Sequence, residues 1–365
     1  MNIVCQQDEL ARFLQITARA LATKSTLPIL TGILLETKID SLRCVATDLE
    51  IAIEARVPNI QIIAAGSVVL PGKTFVEIIR HLPSTPVTIE YDENAKMVNI
   101  KSHHSTYQLP TLPIEEFPNF PEIKNEQVFE INGEQAKEAI KQTIYATLAE
   151  DPRPFLSSIL WEFTENNLRL VATDVNRLAI KDLAIKSEVQ KNALVPVRAL
   201  KELANIFGTL LDESLKIQFD EKLIFVKGAG ITFSSRLVEA QFPRYEQVIP
   251  KDFNGSAKVN RSKLIEALER TALVSFSIKL SLKEQQMVIT AKEPDKGRSY
   301  EELEIEAEGP DIDIGFNARF ILEFLKTVDD DSIIIKYIQD QKPVLLLGEG
   351  QEDYRYVVMP LKLSV

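Results

Sequence analysis

Residues 27–48 read LPILTGILLETKIDSLRCVATD, and residues 153–174 read RPFLSSILWEFTENNLRLVATD. The two stretches align without a gap at an offset of 126, with 11 of 22 positions identical, so one structural unit occurs at least twice. Upstream, Leu10, Leu14 and Thr17 correspond to Ala136, Ile140 and Thr143, and again to Leu264, Leu268 and Thr271, which adds a third copy. Downstream, Pro71, Lys73, Phe75 and Glu77 correspond to Pro196, Arg198, Leu200 and Glu202, then to Asn317, Arg319, Ile321 and Glu323. Phe117-Pro118 matches Phe242-Pro243 near the ends of the first two copies, whereas the third ends differently, at Met359-Pro360-Leu361.

The polar segments Lys124-Asn125-Glu126-Gln127 and Lys251-Asp252-Phe253-Asn254-Gly255 suit short linkers and divide the chain into domains at 1–124, 125–251 and 252–365. Each copy carries an amphipathic helical pattern early and another near its middle, as in Leu10, Phe13, Leu14 and Thr17, then Phe75, Val76, Ile79 and Leu82. The remainder is short β-branched runs between turn residues, such as Leu42 to Ala46, Val87 to Tyr91 and Val128 to Ile131, which predict antiparallel strands. The expected class is α+β, each helix laying its one apolar stripe on a sheet.

Composition narrows the function. The 365 residues are 45% hydrophobic and 26% charged, and no run of ~18 apolar residues predicts a membrane span. The start Met1-Asn2-Ile3-Val4-Cys5 lacks the basic and apolar regions of a signal peptide, so a cytoplasmic location is expected. Cys5 and Cys44 cannot form a disulfide framework, and both read as buried thiols in strands. The net charge is -11, yet the helical segments 8–20, 73–82, 134–147, 198–208, 261–272 and 319–328 hold thirteen basic and nine acidic residues. They are net +4 against -15 for the rest. Positive charge grouped on one set of elements can hold a polyanion there while the remainder repels it, although Lys and Arg also serve as solvated partners of helical Glu.

Catalytic motifs fail on inspection. Leu70-Pro71-Gly72-Lys73-Thr74 resembles the end of a phosphate-binding loop, but the required first glycine is Ser67, and Arg198 and Arg319 take the place of Lys73 where no glycine loop exists. His103-His104 would point to opposite faces of a strand, leaving only His81 to complete a metal site. Asp48 and Asp174 fall at equivalent places in different copies, where Asp closes a turn. No catalytic residue, metal or cofactor is expected. Three like units with no unit richer in reactive groups point to a scaffold whose geometry is its function. A hydrolase using Asp48, Asp174 or Glu50, and a monomeric protein-binding scaffold, are the alternatives.

From end to end the chain resembles the β subunit of bacterial DNA polymerase III, the sliding clamp family. The resemblance rests on Leu27-Pro28-Ile29-Leu30, Ala46-Thr47-Asp48-Leu49-Glu50, Leu109 to Phe120, Val171-Ala172-Thr173-Asp174 with Arg177-Leu178-Ala179, Gly315-Phe316-Asn317, and Tyr356 to Leu361. It implies three repeated clamp domains per chain, with antiparallel sheets outside and two helices inside each. A head-to-tail homodimer would close six domains into a ring around duplex DNA. That ring would slide without sequence specificity, tethering the polymerase. The implied partners are double-stranded DNA, a second copy, the polymerase III alpha subunit, the clamp loader complex, and other replication and repair proteins carrying clamp-binding peptides. Peptides would dock in an apolar cleft at Leu156, Thr173, Arg177, Leu178, Pro243, Val248, Asn317, Phe320, Val344, Val358, Met359 and Pro360. DNA would meet Lys24, Lys73, Arg80, Arg198 and Lys201, and the seam would use Tyr107 and Leu273. Two departures from the family pattern bear on peptide preference: Val175-Asn176, where Gly-His is common, and Ser364-Val365 beyond the usual terminal Leu, here Leu363.

Overall fold

The computed structural model describes residues 1–122, 128–185, 190–208, 214–219 and 221–362. The expected boundary at 124/125 and the Leu363-Ser364-Val365 tail lie outside the described residues. Six α-helices occur among them: α1 (Gln7–Thr17), α2 (Gly72–His81), α3 (Gly133–Ile144), α4 (Val197–Phe207), α5 (Arg261–Ala272) and α6 (Ala318–Leu325). Each grows directly from the end of a strand, as Asn2–Gln6 runs into α1 and Ser67–Pro71 into α2. The predicted helix 8–20 ends at Thr17 and continues as a 3-10 turn, Ala18–Ala20. The predicted 319–328 stops at Leu325.

Burial follows the sequence pattern. In α1, Leu10, Phe13, Leu14 and Thr17 are buried while Arg12 and Gln15 are exposed; in α2, Phe75, Val76 and Ile79 are buried while Lys73, Glu77 and Arg80 are exposed. Thr17 and Thr143, equivalent in the repeat, each turn their hydroxyl back onto the helix, to Phe13 O at 2.9 Å and Ala139 O at 2.8 Å. Cys5 and Cys44 are buried, and burial pushes the Cys5 thiol up to about 12 and Cys44 higher still. The histidines depart from expectation: His103 and His104 form the turn between Met97–Ser102 and Ser105–Pro110, with their rings 3.8 Å apart. His103 takes a positive φ of 51°, and a left-handed residue lets a two-residue hairpin reverse the chain.

The described residues form two compact units, Met1–Glu134 with Lys201–Leu237, and Gln135–Leu200 with Val238–Val365. The division falls inside the central copy because its strands are shared out. In the first unit an eight-stranded antiparallel sheet joins four strands of copy one to four of copy two, through Ile51–Val57 against Ile231–Arg236 with Ile53 opposite Phe233. In the second unit a nine-stranded sheet joins copies two and three the same way, through Arg177–Ala184 against Tyr354–Val358 with Ala179 opposite Tyr356. Ile53 and Ala179 are equivalent in the repeat, and both junctions have one register.

Two sheets remain within single copies: five strands in copy one, ending on Ser105–Pro110, and four in copy three, ending on Gly297–Glu304. Hairpin pairing makes Ser105–Pro110 the counterpart of Ile231–Arg236 and Tyr354–Val358, and Gly297–Glu304 the counterpart of Ile51–Val57 and Arg177–Ala184. These two strands have no strand neighbour on their outer side among the described residues.

Shared sheets make a cross-copy prediction. Phe233 of copy two is 1% exposed and faces Ile53 of copy one. Phe233→Ala should cost about 3–5 kcal/mol in urea unfolding. It should also speed amide exchange in Ile51–Val57, a segment of the other copy.

Candidate functional site

The second unit holds the expected cleft residues around the junction strand Arg177–Ala184. Since opposed residues of an antiparallel pair share a face, Arg177 and Val358 lie on one side of the sheet, Leu178 and Val357 on the other. Leu178 packs with Val357, Leu345 and Tyr245, beneath Phe242 and Ile249. Arg177 and Val358 share their face with Tyr354 and Tyr356, against which Phe324 of α6 packs, its ring 4.9 Å from that of Tyr356.

The turn before Arg177 is built by its own side chains. Asp174 Oδ1 accepts the amides of Asn176 and Arg177, both at 3.0 Å, and Thr173 Oγ1 donates to Arg177 O at 2.7 Å while accepting from the Val175 amide. Asp174 therefore closes a turn, as read from the sequence, and Asp48 does the same for Glu50 and Ile51. Val175 takes φ 79° and stands 58% exposed. Met359 N donates to Asn176 O at 2.8 Å, tying the chain's last strand to this turn.

Arg177 itself is buried. Its Nε donates to Asp174 Oδ2 at 2.8 Å, one terminal nitrogen to Glu323 Oε2, and the other to Tyr145 O at 2.6 Å. The guanidinium lies over the Phe320 ring at 4.5 Å and the Tyr145 ring at 5.4 Å. Burial alone would disfavour its charge, but Tyr356, Glu323 and Asp174 more than reverse that and hold its pKa above the ordinary value. Glu323 also accepts from Arg319 Nε at 2.9 Å.

The twelve expected cleft residues thus divide. Leu156, Arg177, Leu178, Val344 and Val358 are buried; Thr173, Asn317, Phe320 and Pro360 are half-buried; Pro243, Val248 and Met359 are exposed. Asn317 caps α6, its Oδ1 accepting the Arg319 amide at 3.0 Å. Val175, singled out in the sequence as a departure from the family pattern, is 58% exposed, whereas sequence reasoning missed Leu361, apolar yet 38% exposed, and missed the partners of Arg177. The available signal for Glu323 was its repeat position, shared with Glu77 and Glu202.

Of the expected DNA contacts, Lys24 lies in an exposed loop, Lys73 on the first turn of α2 and Arg80 on its last, 2.7 Å from Glu77. Arg198 and Lys201 are on the exposed face of α4. Among the described residues Lys24, Lys73 and Lys201 have no ion-pair partner. Tyr107, 42% exposed, lies on the open edge strand Ser105–Pro110, and Leu273, 77% exposed, follows α5. No helix among the described residues is long and apolar enough to cross a membrane.

The first unit carries a counterpart of the region around Leu178: a cleft of about 870 Å³ lined by Leu34, Glu36, Arg43, Glu54, Phe117 and Phe120, among others. Its charges satisfy one another, Arg43 lying 3.0 Å from Glu36 and 2.7 Å from Glu54. In the second unit Tyr245 sits against the residues equivalent to Glu36 and Arg43, its hydroxyl donating to Glu162 and lying 3.5 Å from Arg169.

Family models for the DNA polymerase III beta subunit match in order: its N-terminal domain at residues 1–121, its central domain at 130–244 and its C-terminal domain at 246–362. The chain belongs to the DNA polymerase III beta subunit family. Its relatives include proteins named "Beta sliding clamp" from Staphylococcus epidermidis, 29% identical, and Staphylococcus aureus, 28% identical, each aligned over 99% of both chains. Among solved structures, the Bacillus subtilis sliding clamp superposes with a TM-score of 0.95 at 26% identity and the Thermotoga maritima beta subunit with 0.93 at 29%, both over 100% of each chain. A Pseudomonas aeruginosa clamp bound to griselimycin gives 0.94 at 29%, again over 100% of both chains. The α+β repeated-domain clamp fold is the fold of this family, and the family is a processivity factor, not a catalyst.

The Arg177 cluster is testable as a structural unit. Arg177→Met leaves Asp174, whose side chain is 4% exposed, without its cation, while Glu323 keeps only the exposed Arg319. Removing one partner of a buried ion pair costs about 3–5 kcal/mol, so urea unfolding should register a loss of that size.

Proposed function

We propose that two copies of this chain close head to tail into a ring that encircles duplex DNA and tethers the replicative polymerase, making it a DNA polymerase processivity factor. One observation carries the ring: at both internal junctions equivalent strands pair in one register, and the third pair of equivalents, Ser105–Pro110 and Gly297–Glu304, is left open at opposite ends of the repeat series. An open edge is a template for another strand, and a second copy supplies the matching one. Joining five strands to four gives nine, the size of the sheet shared by copies two and three. Carrying the junction register over sets Tyr107 opposite Ser299, as Tyr356 is opposite Ala179.

Leu273 fits the same seam. Its equivalents face the following copy: Arg19 pairs with Glu202 of α4 at 3.1 Å, and the Tyr145 hydroxyl lies 2.7 Å from that of Tyr354. An exposed leucine at this position finds its cover in the next chain. The three domains are 1–124, 125–251 and 252–365, six to a ring, with twelve helices inward.

Inside, Lys24, Lys73, Arg80, Arg198 and Lys201 contact phosphates, weakly enough to break and re-form as the ring moves. Topology retains the ring, so a tethered polymerase that leaves the primer end rebinds at high effective concentration. Peptides of the polymerase III alpha subunit, the clamp loader and other replication and repair proteins dock against Pro243, Val248, Met359 and Pro360. Leu178 lines one side of the junction sheet and Val344 and Val358 the other, at the strand end that carries Met359, and Leu156, Thr173, Asn317, Phe320 and Arg177 complete the cleft. Griselimycin, bound by the Pseudomonas aeruginosa relative, is expected to compete there. The protein works in the cytoplasm.

Loaded on nicked circular DNA, the protein should be retained, and it should be lost once the circle is cut; equal retention on both would refute encirclement. Tyr107→Cys combined with Ser299→Cys should yield a disulfide-linked dimer on a non-reducing gel, while either substitution alone yields none. The buried native thiols stay out of that reaction. Met359→Ala should weaken alpha-subunit binding by roughly tenfold, in keeping with a truncated interface anchor, and leave the dimer intact in sedimentation.

A further inference from the structure

Glu323 serves two arginines of opposite character. Its Oε2 accepts from Arg177, whose side chain is 6% exposed, and its Oε1 accepts from Arg319 Nε at 2.9 Å, whose side chain is 67% exposed. The exposed pair is weak and easily displaced, whereas the buried guanidinium cannot lose its partner without being left uncompensated. Arg319 lies in the first turn of α6 at the repeat position of Lys73 and Arg198. A phosphate at that position would compete with Glu323 for Arg319.

Arg177 leads from there to the cleft. It bonds Asp174, which holds the Asn176 and Arg177 amides, and Asn176 O in turn receives the Met359 amide. We propose that Arg177 and Glu323 are positioning residues of the peptide cleft, and that phosphate bound by Arg319 tightens peptide binding through them. When phosphate takes Arg319, the whole charge of Glu323 falls on Arg177, the 173–178 turn stiffens, and Met359 is held in place before the peptide arrives. A rim ordered in advance lowers the ordering cost of binding. The two ligands are then coupled, each favouring the other. This rests on the cleft and DNA-facing roles proposed above.

The test is fluorescence anisotropy of a fluorescein-labelled clamp-binding peptide from the polymerase III alpha subunit on the full-length dimer. It is run at low salt with and without a short linear duplex, onto which a ring threads from the ends. Duplex should tighten the peptide about fivefold in the wild type. Arg319→Ala should bind the peptide as tightly without duplex as the wild type does with it, and respond no further; Arg319→Lys should restore the response. A merely structural Arg319 predicts weaker binding in the Ala variant, and that result overturns the proposal, as does an equal duplex response in wild type and Arg319→Ala. A wild type that binds peptide normally but ignores duplex overturns the coupling alone. Peptide binding that is absent, or untouched by Met359→Ala, overturns the cleft reading and the coupling with it.

Discussion

A sheet edge carries a row of backbone donors and acceptors that must be paired, covered or guarded, and this chain meets the requirement by pairing each repeat with the next. Ile51–Val57 finds Ile231–Arg236, and Arg177–Ala184 finds Tyr354–Val358, in one register. The compact units follow from this pairing and not from the order of the copies, which is why the central copy contributes strands to both. In the proposed ring the last pair of edges is satisfied only by a second molecule, so closure and hydrogen bonding become one requirement.

Against that common frame, single residues distinguish the junctions. The position held by Ile51 at the first junction is Arg177 at the second and Gly297 at the open edge. A buried guanidinium needs anions, a carbonyl and flat apolar surfaces, and Asp174, Glu323, Tyr145 and Phe320 supply them. Such a cluster adds little net stability over an apolar one of the same shape, but it fixes directions. Here it fixes the turn beside Met359, so the third copy's different ending and the second copy's arginine belong to one device.

Electrostatics divides in the same way. The chain is net -11, while the exposed faces of its helices carry Lys73, Arg80, Arg198, Lys201 and Arg319. Arg80 and Arg319 have glutamate partners on their own helices, through contacts of the weak, solvent-screened kind. A surface of this sort can exchange protein carboxylates for phosphates at small cost in either direction, which suits sliding better than tight binding does.

The triplication, the α+β class, the helical stripes and the turn-closing roles of Asp48 and Asp174 were legible in the sequence because periodicity and turn chemistry are local properties. Local pattern misled at His103-His104, where alternation on a strand was expected and a left-handed turn formed instead. The candidate site was legible as a set of types and positions through the family resemblance, but not as an arrangement. The resemblance named Arg177 and Leu178 together without saying where each points; the pleat sends them to opposite faces of the sheet, and Arg177 inward to Glu323, 146 residues away. Which edges pair, which copy is divided and which arginine is buried depend on contacts between distant segments, and only the tertiary structure decides those.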